Sequence, residues 1–244
     1  MTIQFPFHLE KAIEAAAILL KLHGKPMKYL ALLKMLYIAD RIALQRIEQP
    51  ITGDHYVSMK YGPVLSGVYD LIKGQPVDDA LPLWSEYISP GYTHFVELIK
   101  DPRNDQLCEE EEEILQEVYK NFGHLNPFHV AEWTHDLPEW KGSHHYSIPI
   151  SVEEILRQVG KSEEEIGKIS QNLQSAKGDE ENSQFTFYEN IHEFKQQFIS
   201  RRDLMKLPLE ERRKVLAAQS DLMLQHYQQD QEWKELQTGD FIDY

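Results

Sequence analysis

Five histidines fall between His124 and His145, in the stretch HLNPFHVAEWTHDLPEWKGSHH, with Glu132 and Asp136 among them. Imidazole and carboxylate groups are the donors of zinc and iron sites, and a metal held by His129, Glu132 and His135 would make the chain a metal-dependent hydrolase. The spacing works against that chemistry. His129 and His135 stand six positions apart and project from different faces of a helix, whereas paired helical ligands need a separation of three or four. The expected role of these side chains is structural, with His144 and His145 in a loop beside Gly142 and Ser143. Neither a metal nor another cofactor is expected.

A second set of ionisable residues, Lys34, Asp40 and Arg41, lies inside an otherwise apolar helical stretch. Burial would turn it into a paired structural network or a site of perturbed pKa, and the network is the expected outcome because no nucleophile or substrate pocket accompanies it. Cys108 stands before five consecutive glutamates. Their negative charge disfavours a thiolate, and a lone cysteine forms no internal disulfide. No glycine-rich phosphate cradle, nucleophile elbow or zinc-protease pattern is present, so no catalytic residue is assigned and the chain reads as a non-enzyme. Trp133 and Trp140 are expected in the core.

The elements that must position these residues follow from length, charge and pattern. The chain has 244 residues and a formal charge of −15 from 25 Lys and Arg against 40 Asp and Glu. That balance disfavours a DNA-coating surface, which needs clustered cations, and direct nucleic-acid binding is not expected. No apolar run approaches the ~20 residues that cross a bilayer, so no membrane partner is expected. The opening stretch is interrupted by Glu10, Lys11, Glu14 and Lys21, as in an amphipathic helix and unlike a signal peptide, and the expected compartment is the cytoplasm.

The expected fold class is mainly α (α+β), a helical domain with a small antiparallel sheet. Leu9 to Leu22 reads as a helix closed by Gly24 and Pro26. Met27 to Ile47 reads as a second helix at the centre of the core, ending before Pro50. A short strand is expected between Gly53 and Gly62, with Tyr61-Gly62-Pro63-Val64 as its closing turn and Pro63 at the first position of a helix from Val64 to Lys73. Leu83 to Ile88 and Tyr92 to Ile99 are β-rich runs around Ser89-Pro90-Gly91 and read as a hairpin. Helices follow at Glu109 to Phe122, from Asn126-Pro127 to about His135, and at Ser151 to Gln158, where Ser151 and Glu154 form a capping box.

The composition then changes. Lys161 to Gln184 is polar and reads as a solvent-facing helix followed by a linker at Ala176 to Ser183. The resulting organisation is a domain over 1–160, a polar helix and linker region over 161–200, and a C-terminal segment over 201–244. In that segment Pro208 opens a helix whose one face carries Leu209, Val215, Leu216, Leu222, Met223 and Tyr227. Acidic residues interleaved with Trp233, Phe241 and Tyr244 follow, Asp240 and Asp243 among them. Such a helix cannot bury its own stripe, and the pattern suits a helix seated in a partner's groove with its anionic end across a basic cleft.

Three blocks, KYLALLKMLYIADRIALQR, PITGDHYVSMKYGPVLSGVYDLIKG and THDLPEW, resemble the Panacea domain, also described as the SocA-like or phage-associated GepA-like family. The resemblance covers roughly residues 5–158. It implies an antitoxin of a prokaryotic toxin–antitoxin pair of the kind tied to phage defence, and a cognate protein toxin as partner. It marks Lys34, Asp40, Arg41, Thr52, Gly53, Tyr61, Gly62, Pro63, Val64, Thr134, His135 and Trp140 as motif residues, structural or interacting. One relative in the family acts as an adaptor that delivers its toxin to a protease, which is the alternative role.

The tail is similar to the toxin-binding segments of antitoxins encoded beside endoribonuclease toxins of the MazF/PemK type. That similarity implies occlusion of a basic active site by Leu209, Val215, Leu216, Leu222, Met223, Tyr227, Trp233, Asp240, Phe241, Asp243 and Tyr244. Homo-oligomerisation stays open.

Overall fold

Small side chains recurring at helical spacing bring two helices together as the centre of the molecule. α1, Leu9–His23, buries an unbroken row from Ala12 to Leu20. It ends at Gly24, whose left-handed backbone (φ 67°) lets its N–H cap Leu20 O at 3.0 Å. α2, Tyr29–Arg46, is buried along nearly its whole length, and α1 and the later helices over Glu109–Phe122, Pro127–His135 and Val152–Gln158 all pack against it. The computed structural model describes residues 2–91, 94–103, 105–142 and 147–175. The linker expected at Ala176 to Ser183, the helix expected from Pro208, the tail, and His144 and His145 lie outside the described residues.

Around α2 run β1, Met27–Lys28; β2, Tyr56–Met59; β3, Gly62–Leu65; α3, Ser66–Ile72; and α4, Ala80–Tyr87. They are followed by β4, Phe95–Val96; α5, Glu109–Phe122; α6, Pro127–His135; β5, Ile148–Ile150; and α7, Val152–Gln158. The strands form an antiparallel three-stranded sheet, β3-β2-β5, and a two-stranded pair, β1-β4. This is a mainly helical α+β fold. No helix among the described residues is long and apolar enough to cross a membrane.

Four expectations are corrected. Leu83 to Ile88 is largely helical and does not form a hairpin strand: Ala80, Trp84 and Ile88, four residues apart, are all buried on one side. Pro82 falls in the first turn, where a missing N–H costs nothing. The strand pairing expected within that hairpin shrinks to a single bridge, Ile88 to Leu98, and Phe95–Val96 pairs instead with Met27–Lys28, which are extended and not helical. Pro63 does not open a helix. It lies in β3, an edge strand where no ladder donor is required of it, and α3 begins at Ser66. A further helix over 163–175 is not wholly solvent-facing, because Ile166 and Ile169 join the core cluster.

One helix start, and the segment leading into another helix, are satisfied from a distance. α3 begins after Leu65, which has no polar side chain, and its Gly67 and Val68 N–H groups donate to the Asp54 carboxylate at 2.9 and 2.8 Å. Glu14 of α1, also buried, accepts from Asp105, Gln106 and Leu107 N–H at 3.0 to 3.2 Å just before α5. Local signals operate elsewhere: Asn126 caps α6 through Phe128 N–H, and Ser151 caps α7 through Glu154 N–H. The glutamates of α5 occupy its amino end, where the helix dipole favours them.

Candidate functional site

Lys34, Tyr37, Asp40 and Arg41 recur along α2 at intervals that bring polar groups out of an apolar helix. Between them they reach three parts of the chain. Lys34 is fully enclosed and its Nζ donates to Pro63 O at 2.6 Å, tying the helix to β3. Asp40, also fully enclosed, accepts from Ile51 N and Thr52 N at 3.0 Å each, from the Thr52 hydroxyl, and from the Tyr56 hydroxyl at 3.1 Å. Tyr37 donates to Glu139 Oε1 at 2.9 Å and Arg41 Nε to the same oxygen at 2.7 Å. These side chains bind partners elsewhere in the chain instead of pairing with one another, and Tyr37 and Arg41 share Glu139.

Enclosure shifts these groups strongly. Burial lowers the Lys34 ammonium to about 7. Burial pushes the Asp40 carboxyl up to about 7, against the pull of the Thr52 and Tyr56 donors. The Tyr56 and Tyr37 phenols rise well above their usual value, first through burial and then through the adjacent carboxylates of Asp40 and Glu139.

The remaining motif residues close around the β2–β3 turn. The two-residue turn at Lys60 and Tyr61 leads into Gly62, whose φ of 90° favours glycine. A Cβ built there would sit 2.3 Å from Thr134 Oγ1 and 3.0 Å from Lys34 Nζ. Thr134 itself donates back to Ala131 O at 2.7 Å. His135 stacks on Trp140, with centroids 3.9 Å apart and rings within 8° of parallel, and Trp140 Nε1 donates to Met59 O at 2.9 Å. Burial, and then the Lys34 charge, lower the His135 pKa. Gly53 performs a similar service on the far side, since a Cβ there would meet Pro6 O at 2.0 Å. Thr52 is spent on Asp40 and Val64 is buried in β3. Gly62→Ala is therefore expected to cost at least ~2 kcal/mol, from the strained φ and the collision with Thr134, measured as a lower denaturation midpoint.

Tyr61 and Trp133 depart from the rest. Tyr61 is 51 % exposed and Trp133 42 %, so Trp133 is not the core residue expected of it. Trp133 lies on the outward side of α6 because Val130, Ala131 and Thr134 occupy the inward one. Among the described residues no three His, Cys, Asp or Glu side chains are placed to hold a metal ion, His129, Glu132 and His135 included. A groove of about 540 Å³ runs beside β5, lined in part by Ile3, Phe5, His55, Val57, Lys141 and Ile150. Lys34 does not border it, so the amine with the most altered basicity has no access to a substrate through it.

Sequence reasoning missed Tyr37, Tyr56, Asp54 and Glu139 as partners in this network. Their signal is modest: Glu139 and Asp54 stand within motif blocks, in DLPEW and TGDH, among residues that become buried. The geometry of all three blocks is thus a latch, with α2 as its post and the 51–68 and 134–141 segments as its arms.

Neither the curated proteins nor the solved structures yield a match to the chain. A family model does match, over residues 32–141, and its span takes in most of α2, the β2–β3 hairpin and the Trp140 corner. Its description is antitoxin SocA-like, Panacea domain, and residues 32–141 of this chain are similar to that domain.

Proposed function

We propose that this protein is the antitoxin of a toxin–antitoxin pair and neutralises a cognate protein toxin by binding it directly. The observation that carries the reading is the match over residues 32–141 to an antitoxin domain. The geometry supports it: the ionisable motif residues inside the fold are engaged in latching α2, which suits a rigid binding scaffold.

The toxin in this reading is a basic endoribonuclease in the cytoplasm. The helix carrying Leu209, Val215, Leu216, Leu222, Met223 and Tyr227 occupies an apolar groove on it, Trp233 anchors, and Asp240, Phe241, Asp243 and Tyr244 fill the cleft that takes RNA. The charge of −15 supports this assignment, because complementary potentials speed encounter with a cationic cleft.

Co-expression with the product of the adjoining reading frame tests both levels. The full chain is expected to restore growth and to co-purify with that product. Trp233→Ala is expected to weaken binding by ~30-fold or more, as for a central interface tryptophan. Failure of the full chain to bind or rescue overturns the antitoxin reading. A chain ending before Pro208 that still rescues and binds overturns the role given to the tail and leaves the antitoxin reading standing.

A further inference from the structure

The outward side of α6 carries Phe128, His129, Glu132, Trp133 and, just after the helix, Asp136, all exposed. Phe128 is 55 % exposed and Tyr61 meets it edge-on at 6.4 Å, while Phe122 meets Trp133 at 4.8 Å. Lys28 Nζ stands 5.7 Å from the Phe128 centroid and Lys60 Nζ 5.4 Å from that of Tyr61. Among the described residues none of Lys28, Lys60, Glu132 and Asp136 joins an ion pair, although nine pairs form elsewhere. The face therefore has an aromatic centre, Lys28 beside the Phe128 end of α6, Lys60 on the adjoining β2–β3 turn, and unpaired carboxylates toward the carboxyl end of the helix.

We propose that this face is a two-fold symmetric interface between two copies of the chain. A two-fold axis makes a surface meet itself, so each half must contain both members of every charge pair. This one does. Two α6 helices approaching antiparallel bring the Phe128 end, with Lys28 above it, over the Glu132 and Asp136 end of the second copy. Buried aromatic groups at the middle and charges at the rim are the arrangement of a specific interface.

The charge of −15 on each copy opposes association at long range, but at physiological salt the Debye length is about 8 Å, and the facing groups decide. RNA is a poorer occupant of the face. The ammonium groups sit over the Phe128 and Tyr61 rings, where bases would stack, and the carboxylates of Glu132 and Asp136 repel phosphate.

Sedimentation velocity of the full chain at micromolar concentration is the test. The expected result is a dimer that Phe128→Asp converts to monomer with an unchanged circular dichroism spectrum. The double variant Lys28→Glu, Lys60→Glu is expected to raise the dissociation constant at least about tenfold. Adding Glu132→Lys and Asp136→Lys to it is expected to restore dimerisation, and this rescue holds the proposal to account even where Phe128→Asp disturbs the fold. A chain that stays monomeric at 100 µM overturns the proposal, as do a dimer indifferent to all these changes and a charge-reversed pair without rescue. Retention of the adjoining frame's product by a monomeric chain, lost in Phe128→Asp, reassigns the face to the toxin.

Discussion

Asp40→Ala is expected to destabilise the domain by about 3–5 kcal/mol, read as a lower urea midpoint at unchanged slope. The carboxylate receives two backbone N–H groups and two hydroxyls, and none of its surroundings admits water. Truncation leaves the Ile51 and Thr52 N–H groups without an acceptor in a closed space, and an unmatched buried donor costs ~1–3 kcal/mol. The hydroxyls of Thr52 and Tyr56 can turn elsewhere, which keeps the total below four full penalties. Asp40→Asn retains the volume and one acceptor oxygen, so its loss is expected to be roughly half as large. Equal losses in the two variants would show that volume, and not hydrogen bonding, is what Asp40 supplies.

The second large effect is a dependence on pH. A lysine in an unfolded chain keeps its proton until about pH 10.4, whereas burial lowers folded Lys34 to about 7. Between those values the unfolded chain binds more protons than the folded one, so stability is expected to rise with pH from about 7 to about 10. At ~1.4 kcal/mol for each pH unit, the full window corresponds to several kcal/mol.

Asp40 acts in the opposite sense at lower pH. Its folded carboxyl, pushed up to about 7, holds the proton longer than an unfolded one at about 3.9, and stability falls across that interval. The two trends meet near neutrality in a minimum. Above pH 10 the raised Tyr37 and Tyr56 end the alkaline rise, since unfolded tyrosines lose their protons first. Lys34→Met keeps the length of the side chain and removes the titrating group. Urea midpoints at pH 7, 8.5 and 10 are expected to climb in the parent and to change by less than ~1 kcal/mol in the variant. An identical climb in both would assign it to other groups.

Much of the helical framework was legible because each helix carries its own signals. α1 ends at Gly24, α6 begins at Asn126-Pro127, and α5 gathers glutamates at its amino end, all within a few residues of the boundary they set. The errors fall where the deciding group is remote. Nothing local to Pro63-Val64-Leu65 reveals that Asp54 will supply the cap for α3, so the proline looked like a helix start. Nothing local to Leu83–Ile88 reveals that Trp84 will be buried with Ala80, so β-rich composition prevailed over a four-residue period.

The candidate site divides the same way. Lys34, Asp40 and Arg41 stood out as charges in an apolar helix, and the structure confirms their burial or near-burial. Their partners were invisible, because Pro63 and Glu139 lie about 30 and 100 residues along the chain. Trp133 was misplaced because a single tryptophan near a helix end carries no sign of which side faces inward. That side is decided by the smaller Val130, Ala131 and Thr134.

The latch also orders events during synthesis. While the ribosome is still making α5, Tyr37 and Arg41 have already emerged, yet Glu139, the acceptor they share, is about a hundred residues behind them. α3, without an acceptor of its own, finds Asp54 already made, because residue 54 precedes it in the chain. The nascent polypeptide therefore carries half-matched polar groups along its central helix until the Trp140 corner is threaded into place.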